Sequence, residues 1–183
     1  MGQARIGLTV KGGPMEFKLK IISQAGIPEA ISKVELYRSL NEPEEAESIC
    51  RDILAVEPEH QLALRLLGLA ITDQFRGDTS DRCGEVETLF HGLVESYERL
   101  YYTGLLHERR AKAQMHVGRP PHTLAPLFEE AMRCFAEAEK IRPTGNDDAI
   151  LRWNRCARLL QSHPGFHEEK ESDAFDALDS SPI

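Results

Sequence analysis

EEAESICRDILAVEP (residues 44–58) and EEAMRCFAEAEKIRP (residues 129–143) decide how this chain folds. Both open Glu-Glu-Ala, and both end at a proline, Pro58 and Pro143, fourteen residues after the first glutamate. Each carries apolar residues four and seven positions after its alanine: Cys50 and Ile53 after Ala46, Phe135 and Ala138 after Ala131. Steps of three and four put these side chains on one helical face. A proline, which cannot continue a helix, then stops each stretch. Two helices with the same apolar face and the same stop, 85 residues apart (129 − 44), indicate one unit used more than once.

Working outward, the same periodicity predicts helix after helix from Ile27 onward. Pro28 and Glu29 open the first, with Ala30, Val34, Tyr37 and Leu40 on its apolar face. Asn41-Glu42-Pro43 is a turn leading into the second, which buries Ala46, Ile49, Cys50, Ile53 and Leu54. A third spans 61–75 with Leu64, Leu67, Gly68 and Ile71 inward, followed by a loop, FRGDTSDRCG. The fourth carries a stripe of Val86, Leu89, Phe90, Leu93, Val94, Tyr97, Leu100 and Tyr101. A fifth covers about 101–115, and no proline parts it from the fourth: either Gly104 marks a kink or the two are one rod. VGRPPHTLAP is a loop, the sixth helix covers 128–141, and the seventh covers 146–163 behind an Asn/Asp cap. Three regions result: an N-terminal extension (1–24) that is either a β-hairpin or disordered, a helical domain (25–163) and an acidic disordered tail (164–183).

The 183 residues carry 30 acidic and 22 basic side chains, a net charge of −8. A surface of that sign opposes general binding to nucleic acid, which needs cations to displace counterions. No apolar run approaches the ~20 residues of a membrane span. The four scattered cysteines read as structural thiols of a reducing compartment, and the expected location is cytoplasmic.

The residues of the repeated unit resemble the tetratricopeptide repeat family. Leu64, Leu67, Gly68 and Ile71 give that family's first-helix pattern, and Ala131, Phe135, Ala138 and Pro143 its second. Ala46, Cys50, Ile53 and Pro58 follow the second pattern with cysteine in place of the aromatic. Weaker copies are Ala30, Val34 and Tyr37, then Leu100 and Gly104, then Ala149, Trp153 and Cys156. Lys33 and Arg152 stand where leucine is usual. The resemblance covers about 27–162. It implies an all-α, right-handed solenoid of antiparallel helix pairs, about three repeats plus a capping helix that Trp153 closes against the sixth helix near Phe135.

It also implies a concave groove lined by the first helix of each unit. Helical phase then places Arg38, Arg65, Leu69, Thr72, Tyr101, Leu105, Glu108, Arg109, Asn154 and Arg158 along it. Four arginines in a net acidic protein point to a protein or peptide partner with acidic character, because the guanidinium grips carboxylates with two parallel bonds. The expected function is a non-enzymatic interaction adaptor, with no cofactor or metal and no nucleic-acid or membrane partner, as a monomer or weak homodimer. A secretion-type chaperone masking a client segment is a narrower version. The family's lysine–asparagine carboxylate clamp is not expected, since Ile31 and Glu35 occupy its places. The alternative is an enzyme or metal protein built on the densest polar cluster, His107, Glu108, Arg109 and Arg110. His107 and His116, nine apart, lie on opposite sides of one helix. The acidic tail reads as solvating; a second reading, from charge alone, folds it back onto the groove arginines.

Overall fold

The computed structural model describes residues 18–77 and 80–166. Among them there are seven α-helices and no strand: α1 (Ile27–Ser39), α2 (Pro43–Val56), α3 (Gln61–Asp73), α4 (Ser80–His91), α5 (Ser96–His116), α6 (Pro121–Lys140) and α7 (Asp148–Ser162). The chain is all-α as its periodicity requires. Each helix packs on the next, and α1 also touches α3, α3 touches α5, and α5 touches α7. One continuous apolar core runs from Ile27 on α1 to Leu159 on α7.

The stretches at 44–58 and 129–143 show matching burial. Ala46, Cys50 and Ile53 on α2 are fully buried, and so are their counterparts Ala131, Phe135 and Ala138 on α6. Phe90, Phe128 and Phe135 are the largest wholly enclosed side chains. Each contributes up to about 3 kcal/mol of burial free energy.

The turn at residues 41–43 forms as expected. Asn41 takes φ 60°, a left-handed conformation that asparagine tolerates better than most residues. Pro43 then opens α2 in the first turn. At α3 the His60 Nδ1 accepts the Ala63 amide at 3.2 Å and satisfies one of the helix's free donors.

Several boundaries differ from expectation. The fourth and fifth helices part at residues 92–95, neither kinked at Gly104 nor joined as one rod. Polar side chains make that break. Arg99 Nη1 donates to the carbonyls of Leu93 (2.6 Å) and Val94 (2.7 Å), and the Val94 amide donates to Gln61 Oε1 (2.8 Å). Backbone groups that would have continued the helix are satisfied without it. The long apolar stripe is therefore two stripes, and Val94, between them, is 68% exposed.

Helix α4 begins at Ser80, inside the stretch expected to be loop. Helix α6 begins at Pro121, seven residues before the expected start, and carries Pro126 within it. So near the N-terminus, that proline forfeits a single backbone bond. Helix α3 ends at Asp73, two residues short of the expected Phe75.

Trp153 is 39% exposed and does not seal the end of the bundle. The inward face of α7 carries Ala149, Cys156 and Leu159; at about 100° per residue Trp153 stands about 120° round from Leu159, at the margin. Pro164–Phe166 forms a 3-10 turn, so the helical body reaches three residues into the stretch read as tail. The Phe166 ring meets Phe128 edge-on at 5.7 Å. The expected hairpin falls largely in residues 1–17, outside the described residues; 18–23 have no regular structure, with Leu19 and Ile21 exposed.

Candidate functional site

Helices α1, α3, α5 and α7 are joined by a ladder of charged side chains. Arg38 on α1 donates from Nε to Asp73 Oδ2 on α3 at 2.8 Å. Arg109 on α5 reaches the other oxygen: its Nη1 donates to Asp73 Oδ1 (2.5 Å), Thr72 Oγ1 (2.5 Å) and the Leu69 carbonyl (3.1 Å). Burial pulls the Arg109 guanidinium below its usual range, and the Asp73 charge works in the opposite direction. Next to it, Glu108 is completely buried and accepts from Lys112 one turn on. Arg152 Nη1 on α7 lies 3.6 Å from Glu108 Oε2. A second rung joins Arg65 on α3 to Glu98 on α5 at 2.6 Å, with the guanidinium 5.9 Å from the Tyr102 ring centroid.

This ladder accounts for three of the expected groove arginines. Arg38, Arg65 and Arg109 are held by Asp73 and Glu98. Arg158 is exposed and makes no ion pair among the described residues, and Asn154 is half-buried. The other five differ from expectation. Leu69, Thr72, Tyr101, Leu105 and Glu108 are buried: the first two lie on α3, packed among α1, α2, α4 and α5, and the other three on α5, covered by α3, α4, α6 and α7. Thr72 Oγ1 donates to the Leu69 carbonyl at 2.9 Å. Tyr101 stacks on Tyr97, meets Tyr102 edge-on and tilts against Phe135.

The polar cluster at 107–110 divides. Glu108 and Arg109 join the ladder. His107 is half-buried, its imidazole pulled down by burial despite the charges of Glu130 and Glu87. Buried His107 Nδ1 and Arg110 Nε have no hydrogen-bond partner among the described residues. His107 and Arg110, three apart, share a side of α5, while Glu108 and Arg109 lie in the ladder. Among the described residues no group of three or more His, Cys, Asp and Glu lies together as for a metal ion. All four cysteines are buried, and burial pushes the Cys50 and Cys156 thiols up to about 12.

The ladder opens to the surface at the C-terminal ends of α3 and α5. A cavity of about 240 Å³ is bounded there by Asp73, Phe75, Arg109, Lys112 and His116. A more apolar cavity of about 360 Å³, lined by Phe75, Arg76, Gly77, Ala113, His116 and Val117, shares Phe75, Ala113 and His116 with it. Lys112, Asp73 and Arg76 were not among the expected site residues. Lys112 was legible as the partner four positions after Glu108; Asp73 lies within the expected third helix and Arg76 in the loop expected after it, and neither position marked a site.

Comparison of the chain with protein-family models, with curated proteins and with solved structures finds no match in any of the three. Among the described residues no helix is long and apolar enough to cross a membrane.

The two cavities are lined by the cations Arg76, Arg109 and Lys112 and by one carboxylate, Asp73. Among the described lining residues this is an excess of two positive charges (3 − 1), on a chain whose net charge is −8. Such a focus attracts carboxylates, and partly buried walls strengthen the attraction. The adjoining apolar cavity suits a ring or branched side chain.

Proposed function

We propose that this chain is a tetratricopeptide-like scaffold, a right-handed solenoid of three helix pairs capped by α7, and that it binds an acidic peptide segment of a protein partner. The segment lies along the α3–α5 face, its carboxylates on Arg109, Lys112 and Arg76 and an aromatic or branched residue in the cavity between Phe75 and Val117. The role is that of a non-enzymatic adaptor in the cytoplasm. One observation carries the reading: a cationic cavity and an apolar cavity share a wall on an otherwise acidic protein.

The repeat reading has its own support. In α3/α4 and in α5/α6 a glycine of the first helix meets a phenylalanine of the second: Gly68 with Phe90, and Gly104 with Phe135. The matched burial of α2 and α6 adds to it. The contacts from α1 to α3, α3 to α5 and α5 to α7 are those expected of first helices stacked side by side.

The test is selection from a random peptide library on the full chain, beside a form carrying Arg76→Glu and Lys112→Glu. Peptides enriched in acidic residues around one aromatic, retained by the first protein and lost by the second, are the expected result. Enrichment of neutral peptides, or equal capture by both proteins, would overturn it.

A further inference from the structure

We infer that the acidic segment at residues 168–179 of this same chain docks in the α3–α5 cavities and competes there with other acidic ligands. The inference rests on the proposed peptide site and adds its regulation.

The described chain ends within reach of the site. Gly165 lies against Pro121: a Cβ on it would stand 3.1 Å from Pro121 Cγ. Pro121 is the first residue of α6 and lies four residues from Val117, which lines the apolar cavity. At 3.8 Å per step, those four residues separate Pro121 from Val117 by at most about 15 Å. Nine residues lead from Phe166 to Phe175, enough to span about 30 Å when extended. The segment therefore reaches the cavities with length to spare.

Its chemistry complements them. Six acidic side chains lie between Glu168 and Asp179 against the single Lys170, and Phe175 and Leu178 are interleaved among them. Carboxylates match the charge excess over Arg76, Arg109 and Lys112, and the Phe175 ring matches the space between Phe75 and Val117. Two other cavities offer less. One near α2 sets Arg51 and Arg82 against Glu44 and Glu47, a balanced set. The other holds Arg99 and Arg133, which like Arg109 have internal acceptors, but it includes no residue of the α5–α6 connection that leads to Pro121 beside Gly165. A segment tethered this closely acts at an effective concentration in the millimolar range, so even weak docking excludes a competitor.

The test uses a fluorescein-labelled synthetic peptide of residues 167–183, titrated by polarisation. One titrant is the full chain; the other is the full chain with Phe175→Ala and the six tail acids changed to their amides. The peptide is expected to bind the altered chain roughly tenfold or more tightly than the native one. Lys112→Glu with Arg76→Glu in the altered chain should abolish that binding. Equal affinity for native and altered chains, or binding to neither, would overturn the inference. A second labelled peptide, unrelated in sequence and carrying several glutamates around one phenylalanine, separates the two ideas. If it binds the altered chain through Lys112 and the 167–183 peptide does not, docking by the tail is wrong and the peptide site stands. If neither peptide binds, both fall.

Discussion

A Cβ added to Gly68 on α3 would stand 2.7 Å from Cζ of Phe90 on α4. The same relation recurs one pair along, where a Cβ on Gly104 would stand 2.8 Å from Cε1 of Phe135. The sequence separations differ, 22 residues (90 − 68) against 31 (135 − 104), and the longer α5 and α6 take up the difference. In both pairs the missing side chain lets a first helix approach an aromatic on the second.

Gly68→Ala and Gly104→Ala should therefore destabilise, although alanine is the better helix former by about 1 kcal/mol. Overpacking against a fully buried ring costs about 1–3 kcal/mol and wins. A Cβ placed on Gly84 of α4 would meet nothing within 4 Å, so Gly84→Ala should stabilise by about 0.5–1 kcal/mol. Thermal melts of the three variants check both signs. A rise in midpoint for Gly68→Ala would mean that the α3–α4 crossing is looser than described.

Asp73 holds Arg38 and Arg109 together, with side chains about one-quarter exposed. Asp73→Ala leaves a partly buried guanidinium without its partner and should cost about 2–3 kcal/mol in urea unfolding. Asp73→Asn removes the carboxylate that competes with an acidic ligand, so it should raise affinity for a glutamate-rich peptide severalfold while lowering stability. Falling affinity together with falling stability would show Asp73 to be part of the binding surface itself.

Glu47 links α2 to α3 and α4 through Gln74 and Arg82, each at 2.7 Å. Burial pushes its carboxyl up, but Arg82, Arg51 and Gln74 outweigh it and hold the group at about 2, below its ordinary 4.5. A depressed carboxyl contributes stability above pH 4.5, and that stability is lost as pH falls through about 2. With Arg51 and Arg82 partly exposed, Glu47→Gln should cost ~2 kcal/mol at neutral pH. The gap to the native protein should close between pH 4.5 and 2. Denaturant melts across that range give the result; a gap independent of pH would assign the loss to packing.

Trp153→Ala should cost less than about 1.5 kcal/mol, because the side chain lies at the margin of α7, whereas Phe135→Ala should cost ~3–5 kcal/mol. Urea midpoints for the two variants decide it. Equal losses would place Trp153 in the core.

The helical body was legible because its signals are local. Proline and asparagine set the α1–α2 turn, and the positions of Ala46, Cys50 and Ile53 repeat at Ala131, Phe135 and Ala138. The α4–α5 break was not legible, since it depends on Arg99 and Gln61 capturing backbone groups from other turns. The start of α6 was obscured by Pro120, Pro121 and Pro126, which read as loop although the helix accommodates two of them. Helical phase found Arg38, Arg65, Arg109 and Glu108 of the ladder but not Arg152, Asp73 or Glu98. Asp73 is 35 residues from Arg38, and only folding brings them together. Phase also could not distinguish a face toward solvent from one covered by a neighbouring helix, as at Tyr101 and Glu108.

The most direct measurement is amide NMR of the full chain titrated with a glutamate-rich peptide containing one phenylalanine. Shifts should concentrate at residues 72–77 and 109–117, around the paired cavities, and should vanish when Arg76 and Lys112 are both changed to Glu. Shifts confined to α2, α4 and α6, or shifts unaffected by those two changes, would contradict binding on the α3–α5 face.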